Sequence, residues 1–255
     1  MTDADLPDYY DPKNYGQQLL PTLLITAYHG SPTLKVETLA QVQAHYDADE
    51  LVQGVYADKR TRKYCAVGCL THDPDGGHAE YPLRWGIPES LAHLEDRIFE
   101  ALPKSAAKEW PLRFMGAIPV GADLSRIEWQ FKHRLLTDAA ITPGITHELV
   151  RDAIAAVAAL CERAANGDTP TGDEWSAARN AARSAAESAA RSAAESAWRS
   201  AWSAWRSAAE SAAESAWRSA AESAERSAWS AAEGAAYVKM ANILIELIQN
   251  APVPA

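Results

Sequence analysis

Four side chains of the kinds that bind zinc lie close together in the middle of the chain. Cys65, Cys69, His72 and His78 offer two thiolates and two imidazoles, a ligand set that suits a tetrahedral zinc ion. Their spacing, C-x3-C-x2-H-x5-H, differs from that of a standard zinc finger. Because a free cysteine is also a small buried hydrophobic residue, plain packing is the alternative. The sequence therefore requires no cofactor and leaves zinc at these four residues as a hypothesis.

The loop that contains these residues, Cys65–Glu80, offers a second kind of chemistry. A cysteine becomes a nucleophile when a neighbouring base removes its proton, and His72 or His78 is the nearest base to Cys65 in the sequence. No third residue that would orient the histidine is identifiable. The chain also has no glycine-rich phosphate loop, no G-x-S-x-G motif and no H-E-x-x-H motif. A small metal- or thiol-dependent enzyme is thus an alternative interpretation rather than the favoured one.

A short basic run precedes this loop. Its cationic side chains can hold a phosphate group or a small anionic nucleotide, and they are Lys59, Arg60, Arg62 and Lys63. In the alternative interpretation the run is the solvated turn of a hairpin. The whole chain carries 24 basic and 34 acidic side chains, a net charge of −10. This excess of acid argues against direct nucleic-acid binding, which needs a basic surface.

Helical patterns and one hairpin are the elements that must position these residues. Amphipathic patterns predict four helices, which begin at Ser31-Pro32 (running to about His45), at Pro88, at Asp123 or Ser125, and at Thr146. Between the first two helices, the apolar runs Leu51–Tyr56 and Tyr64–Val67 flank a polar turn and predict a short β-hairpin. Gly54 weakens the first of these strands. Together the patterns predict a small helical head.

The distribution of charge predicts where this head ends. Residues 1–172 carry 16 basic and 24 acidic groups, a net of −8, whereas residues 173–255 carry 8 and 10, a net of −2. The two parts meet in the turn-forming stretch Asn166–Gly172. We therefore expect an acidic helical head domain over residues 1–168 and a second region over residues 173–250. The absence of a long uncharged apolar run and of a cationic leader predicts a cytoplasmic protein without a membrane span.

The second region is built from a four-residue repeat. From Ser176 to Glu233 the units read Ser-Ala-(Ala/Trp)-(Arg/Glu), and neither glycine nor proline interrupts them. Alanine has the highest helix propensity, and the charged positions form ladders of opposite charge four residues apart, such as Arg183, Glu187 and Arg191. The repeat is therefore predicted to be helical.

Five tryptophans occupy the third position of the repeat. They are Trp198, Trp202, Trp205, Trp217 and Trp229. The fifteen units span 58 residues and average 3.87 residues each, against about 3.6 for one helical turn, so the stripe winds slowly around the helix. Clusters of apolar side chains usually mark contacts. We interpret these tryptophans as interaction residues, whether they pack on this protein's own helices or on an external partner.

The last part of the chain leaves the repeat after Gly234. It carries a helical apolar stripe that needs a surface to pack on: Tyr237, Met240, Ala241, Leu244, Leu247 and Ile248. Either the tail folds back as a helical hairpin or two copies pair, and an extended helix with self-association is the favoured interpretation. The predicted fold class is mainly α, with a helical head, a short β-hairpin and a long Ala/Ser-rich helix.

Several short segments of the chain carry a resemblance to a group of proteins. They are His45-Tyr46 with Leu51–Gly54, Cys65–Gly68, Gly86–Ala92, Leu94–Glu100, Gly121–Leu124 and the alanine-rich tail. On these residues the chain resembles a family of uncharacterised proteins from bacteria and their phages and prophages. The resemblance covers nearly the whole chain and implies a phage or prophage origin, but it implies no activity and no catalytic residues.

Two classes of function follow from these observations. The first is a non-catalytic interaction or assembly protein that self-associates or binds a host protein, with inhibition of a host defence protein as the specific hypothesis. The second is a small enzyme or nucleotide-sequestering protein that uses Cys65–Glu80. The long repeat and the absence of a recognised catalytic motif favour the first.

Overall fold

A computed structural model describes residues 26–58, 60–73, 77–138, 148–188 and 234–254. These residues are mainly helical with one short antiparallel strand pair, which confirms the predicted fold class. The elements are a 3-10 helix (Ala27–Gly30), α1 (Pro32–Asp47), β1 (Ala57–Asp58), β2 (Lys63–Tyr64), α2 (Gly68–Thr71), α3 (Glu80–Trp85), α4 (Glu89–Ala101), α5 (Lys104–Ala117), α6 (Ile127–Thr137) and α7 (Glu148–Ala165). Residues 172–188 and 234–249 are also helical, and we call the latter the C-terminal helix.

Local capping explains where the first predicted helices begin. The Ser31 hydroxyl accepts a hydrogen bond from the Leu34 amide (3.2 Å), and Pro32 occupies the first helical position of α1. α4 begins directly after Pro88, whose extended backbone precedes the helix. Both starts are confirmed. Asp123 instead closes a turn by accepting from the Ser125 amide (2.9 Å), so α6 begins slightly later than predicted.

The hairpin is present but is shorter than predicted and shifted along the chain. Ala57 pairs with Tyr64 across an antiparallel register of two residues per strand. Gly54 adopts a left-handed backbone (φ +87°), so the first apolar run turns before the strand begins. Leu51 nevertheless forms an isolated parallel bridge to Tyr64, which ties the end of α1 to the hairpin.

Large side chains from the 3-10 helix, α3, α4, α5 and α6 form the core of the head. The sequence patterns did not predict α5, which contains Pro111. Trp110 and Phe114, on either side of that proline, are fully buried, and the Trp110 indole donates to the Glu95 carbonyl of α4 (2.9 Å). The Tyr28 hydroxyl donates to the Met115 carbonyl (2.6 Å). This burial stabilises α5 despite its internal proline.

The C-terminal helix packs into this same core. Ala241, Leu244 and Ile248 are fully buried and belong to the apolar cluster of the head. At the helix surface, Arg113 of α5 donates to the Asn242 side chain (2.8 Å). We use "the body" for residues 26–138 together with the C-terminal helix. The apolar stripe therefore packs on its own head, which the favoured expectation of an extended tail did not include, and residues 189–233 lie outside the described residues.

The beginning of the repeat is helical, as predicted. Thr171 and Glu174 cap it reciprocally, since the Thr171 hydroxyl accepts from the Glu174 amide (3.2 Å) and the Glu174 carboxylate from the Thr171 amide (2.7 Å). Trp175 stacks on Trp129 of α6, with ring centroids 5.4 Å apart. The five tryptophans predicted to mediate interactions lie outside the described residues. Among the helices that the structure describes, none is both long and apolar enough to cross a membrane.

Candidate functional site

Two groups of polar side chains gather around the hairpin and the segment that follows it. The first, which we call the histidine cluster, consists of His45, Glu50, Arg62, Tyr64 and His72. The second, which we call the acidic cavity, is lined by Gly54, Val55, Tyr56, Asp96 and Glu100. Elements distant in sequence supply both groups, so the fold rather than a local motif creates them.

A chain of three polar side chains runs through the histidine cluster. His45 lies in the last turn of α1, and its Nδ1 is 2.7 Å from Glu50 Oε2. Its Nε2 is 3.0 Å from Nε2 of His72, the residue that ends α2. The Tyr64 ring packs against both imidazoles, with centroid distances of 4.7 Å to His45 and 5.2 Å to His72. His45 and Glu50 are buried, and this arrangement satisfies their polar atoms.

Two neighbouring side chains stabilise the ionised form of Glu50. Arg62 forms an ion pair with its Oε1, and this contact, together with the contact from His45, lowers the pKa of Glu50 although burial opposes the shift. Glu50 therefore accepts a hydrogen bond from His45 Nδ1–H, and His45 Nε2 faces His72. The cluster thus holds the His45 imidazole in a defined orientation.

The acidic cavity has a volume of about 270 Å³. The Glu100 carboxylate accepts from the Gly54 amide (2.7 Å), and burial raises the pKa of Glu100. Asp96 Oδ2 lies 3.3 Å from His78 Nε2, whereas Asp96 Oδ1 is buried and has no hydrogen-bond partner among the described residues. His78 stacks on His93, with centroids 4.1 Å apart. Both carboxylates make this cavity better suited to a cation than to a phosphate.

Cys65 and Cys69 are buried thiols rather than activated nucleophiles. Burial raises the pKa of both, and the Asp96 charge raises that of Cys65 further. The Cys69 thiol donates to the Ala66 carbonyl (3.0 Å), and Cys65 Sγ accepts from the Gly68 amide (3.3 Å). A nucleophilic cysteine needs the opposite shift, which a nearby cation provides. The environment of Cys65 therefore opposes the thiol chemistry considered from the sequence.

The four predicted zinc ligands do not form one cluster. His72 contacts His45, His78 contacts Asp96, and the two cysteines are buried within and beside α2. In the parts of the chain that the structure describes, no group of three or more histidine, cysteine, aspartate and glutamate side chains is arranged to hold a metal ion.

The predicted anion-binding residues are also separated. Arg62 pairs with Glu50, and Lys63 donates to the Asp49 carbonyl (2.7 Å). The Arg60 side chain is exposed, and its backbone amide donates to Asp58 Oδ1 (2.9 Å). Lys59 lies outside the described residues. The contacts of Arg60, Arg62 and Lys63 thus agree better with the solvated turn of a hairpin than with a phosphate-binding site.

Comparisons with known proteins were made for the whole chain. No family model, curated protein or solved structure matches it. The assignment of function therefore depends on the geometry described above.

Sequence reasoning missed His45, Asp96 and Glu95 as residues of interest. Glu95 of α4 is fully buried, accepts from the Tyr81 hydroxyl (2.7 Å), and has its pKa raised by burial to about 8. A sequence signal for it existed, because Glu95 lies on the apolar stripe between Leu91 and Ile98. No comparable signal joins His45 to His72, since their contact depends on the tertiary fold.

Proposed function

We propose that this protein is a non-catalytic interaction protein, in which the helical body presents the tryptophan-bearing repeat to another protein surface. The observation that supports the proposal is the burial of the C-terminal helix in the body's own core. Residues 172–188, which contain the first units of the repeat, and residues 234–249, which follow it, both contact the body, so the intervening sequence is attached to the body at each end.

The alanines at the start of the repeat support this proposal. Ala178 and Ala185 are buried on one side of residues 172–188, whereas Arg179, Arg183 and Glu187 are exposed. The repeat thus has a packing face and a charged face where the structure describes it. The third position of the later repeat units holds tryptophan, a much larger apolar side chain that is a frequent anchor in protein interfaces.

The proposed partner is a second copy of the chain or a bacterial host protein. The apolar C-terminal stripe is occupied within one chain, so it is not available to join two copies. The repeat is then the region through which copies would associate. The resemblance to phage and prophage proteins supports a host protein as the other partner, and a defence protein is the specific form of that proposal.

Light scattering combined with small-angle X-ray scattering tests the role of the tryptophans. The full chain should have a mass above the 27.6 kDa of one copy, or should retain a host protein in pull-downs. The double variant Trp202→Ala/Trp205→Ala should lose this association, and the matched polar variant Ser203→Ala/Ser207→Ala should keep it. A monomeric wild type that retains no host protein in a tryptophan-dependent way would contradict the proposal.

The acidic cavity supports a second candidate, binding of a small ligand near Cys65–Glu80. The carboxylates of the cavity argue against binding of a nucleotide. The raised pKa of Cys65 argues against a thiol-dependent enzyme. We therefore expect Cys65 to react with iodoacetamide at neutral pH at least tenfold more slowly than a free cysteine. Rapid alkylation of Cys65 in the folded protein, located by peptide mass spectrometry, would support a thiol-dependent function instead.

A further inference from the structure

We propose that the histidine cluster binds one divalent transition-metal ion through Nε2 of His45 and Nε2 of His72. These two atoms face each other at 3.0 Å, although the residues are 27 positions apart and belong to different elements. Imidazole nitrogen is a preferred ligand of Zn²⁺, Ni²⁺ and Cu²⁺. This proposal does not depend on the role of the repeat.

Glu50 prepares His45 for this role. Histidines that bind metals commonly donate their other ring N–H to a carboxylate, which sets the tautomer and the orientation of the ring. His45 Nδ1 makes this contact with Glu50 Oε2 at 2.7 Å, and Arg62 holds the other carboxylate oxygen. His45 Nε2 therefore faces His72 Nε2, and metal binding requires the proton of this hydrogen bond to leave Nε2, with His72 carrying its proton on Nδ1 instead. Glu50 acts as a positioning residue and not as a ligand.

The backbone at the end of α2 brings His72 to this point. His72 adopts a left-handed conformation (φ +56°), which non-glycine residues rarely do, and its amide donates to the Gly68 carbonyl (2.9 Å). Conformations of this kind persist where the surroundings enforce them, and they are frequent at ligand sites. The Tyr64 ring contacts both imidazoles and restricts their orientation.

The distance between the two Nε2 atoms is close to the distance between two nitrogens that bind the same metal ion. Two nitrogens bound to a tetrahedral zinc at 2.0–2.1 Å lie about 3.3–3.4 Å apart. The observed 3.0 Å therefore needs to increase by only a few tenths of an ångström. In the described residues no third histidine, cysteine or carboxylate completes the set, so water would supply the remaining ligands. Such a site is open and exchanges its metal more readily than a closed four-ligand site.

Isothermal titration of the full chain with Zn²⁺ tests the proposal. We expect one ion per chain, with affinity reduced at least tenfold by His72→Ala or His45→Ala and about 10–100-fold by Glu50→Gln. The matched control His133→Ala, on α6, should bind as the wild type does.

Two results would overturn the proposal. One is the absence of Zn²⁺ binding at millimolar concentration, which would leave His45 and His72 as a hydrogen-bonded pair. The other is a His72→Ala variant that folds and binds Zn²⁺ as the wild type does. If circular dichroism shows that a variant does not fold, ¹⁵N NMR spectra of the imidazoles in the wild-type protein test the proposal instead. Zn²⁺ should shift the signals of two of the seven histidines and leave those of His78 and His93 unchanged.

Discussion

The body and the start of the repeat are both helical, but they are packed with side chains of different size. The body buries large residues such as Trp110, Phe114 and Leu244, whereas residues 172–188 bury only Ala178 and Ala185 to a comparable degree. Hydrophobic stabilisation grows with the apolar area removed from water. The body therefore buries enough apolar area to stabilise a fold, whereas the alanines of residues 172–188 alone contribute little hydrophobic stabilisation.

This difference indicates separate roles for the two regions. The C-terminal helix contributes Leu244 and Ile248 to the body, so it stabilises the fold although it follows the repeat in sequence. Residues 172–188 supply a thin alanine face, and the large apolar residues later in the sequence of the repeat are tryptophans. The predictions below test this division, beginning with the largest expected effect.

Leu244→Ala should destabilise the body by about 2–5 kcal/mol, because it removes a fully buried side chain and leaves a cavity. Urea unfolding followed by tryptophan fluorescence measures the change. Val253→Ala, at a position that is 56% exposed, should remain within about 0.5 kcal/mol of the wild type. Equal effects of the two substitutions would show that the C-terminal helix is not part of the core.

The pH dependence of stability should differ between a carboxylate in the body and one in the repeat. Glu95 has a folded pKa of about 8 against an ordinary value of 4.5, so the folded state holds its proton more tightly. Its contribution to the free energy of unfolding is full below about pH 4.5 and is lost as the pH rises through 8, a change of a few kcal/mol.

Glu95→Gln should remove this loss of unfolding free energy at high pH. Glu187→Gln, on the exposed face of the repeat, should leave the dependence of unfolding free energy on pH as it is in the wild type. Urea unfolding at a series of pH values checks both variants. A Glu95→Gln profile with the same slope as the wild type would contradict the burial of a protonated carboxylate in the body.

The alanine face of the repeat can be tested by two substitutions one residue apart. Ala185→Glu places a long charged side chain at a position that is 3% exposed, whereas Ala186→Glu places it on the exposed side. We expect the first to cost about 1–3 kcal/mol and the second to cost little. Thermal unfolding by circular dichroism compares them, and equal melting temperatures would argue against a packing face.

The smallest effect is expected from the ion pair between the C-terminal helix and the end of α6. Lys239 Nζ lies 3.3 Å from Asp138 Oδ1, and both side chains are partly exposed to solvent. Lys239→Ala should therefore cost less than about 1 kcal/mol, and 1 M salt should reduce the difference. A cost above 2 kcal/mol in urea unfolding would mean that charge, rather than apolar burial, holds this helix.

Local sequence signals predicted the elements that depend on local physics. Ser31-Pro32 and Pro88 begin helices because capping and proline geometry act within a few residues. The same rules failed at α5, where Pro111 indicates a break but the burial of Trp110 and Phe114 outweighs it. Tertiary packing overrides local preference at such positions.

The arrangement of the tail and of the site could not be derived in this way. The apolar period from Tyr237 to Ile248 predicts that the helix is buried, but it does not specify what covers it. Likewise, Cys65, Cys69, His72 and His78 are close in sequence, yet the fold pairs His72 with His45 and His78 with Asp96. Proximity in sequence therefore did not indicate which of these side chains contact each other.

The attachment of the C-terminal helix to the body of the same chain can be measured by a disulfide crosslink. A Cβ atom at Gly234 would lie 3.3 Å from Cγ of Pro103, so the two positions are neighbours and the double variant Pro103→Cys/Gly234→Cys places two thiols close together. The native cysteines are buried, and each single variant serves as a control. After oxidation and denaturation, non-reducing mass analysis should show a disulfide within single chains. Crosslinks that form only between chains, or none at all, would contradict this account.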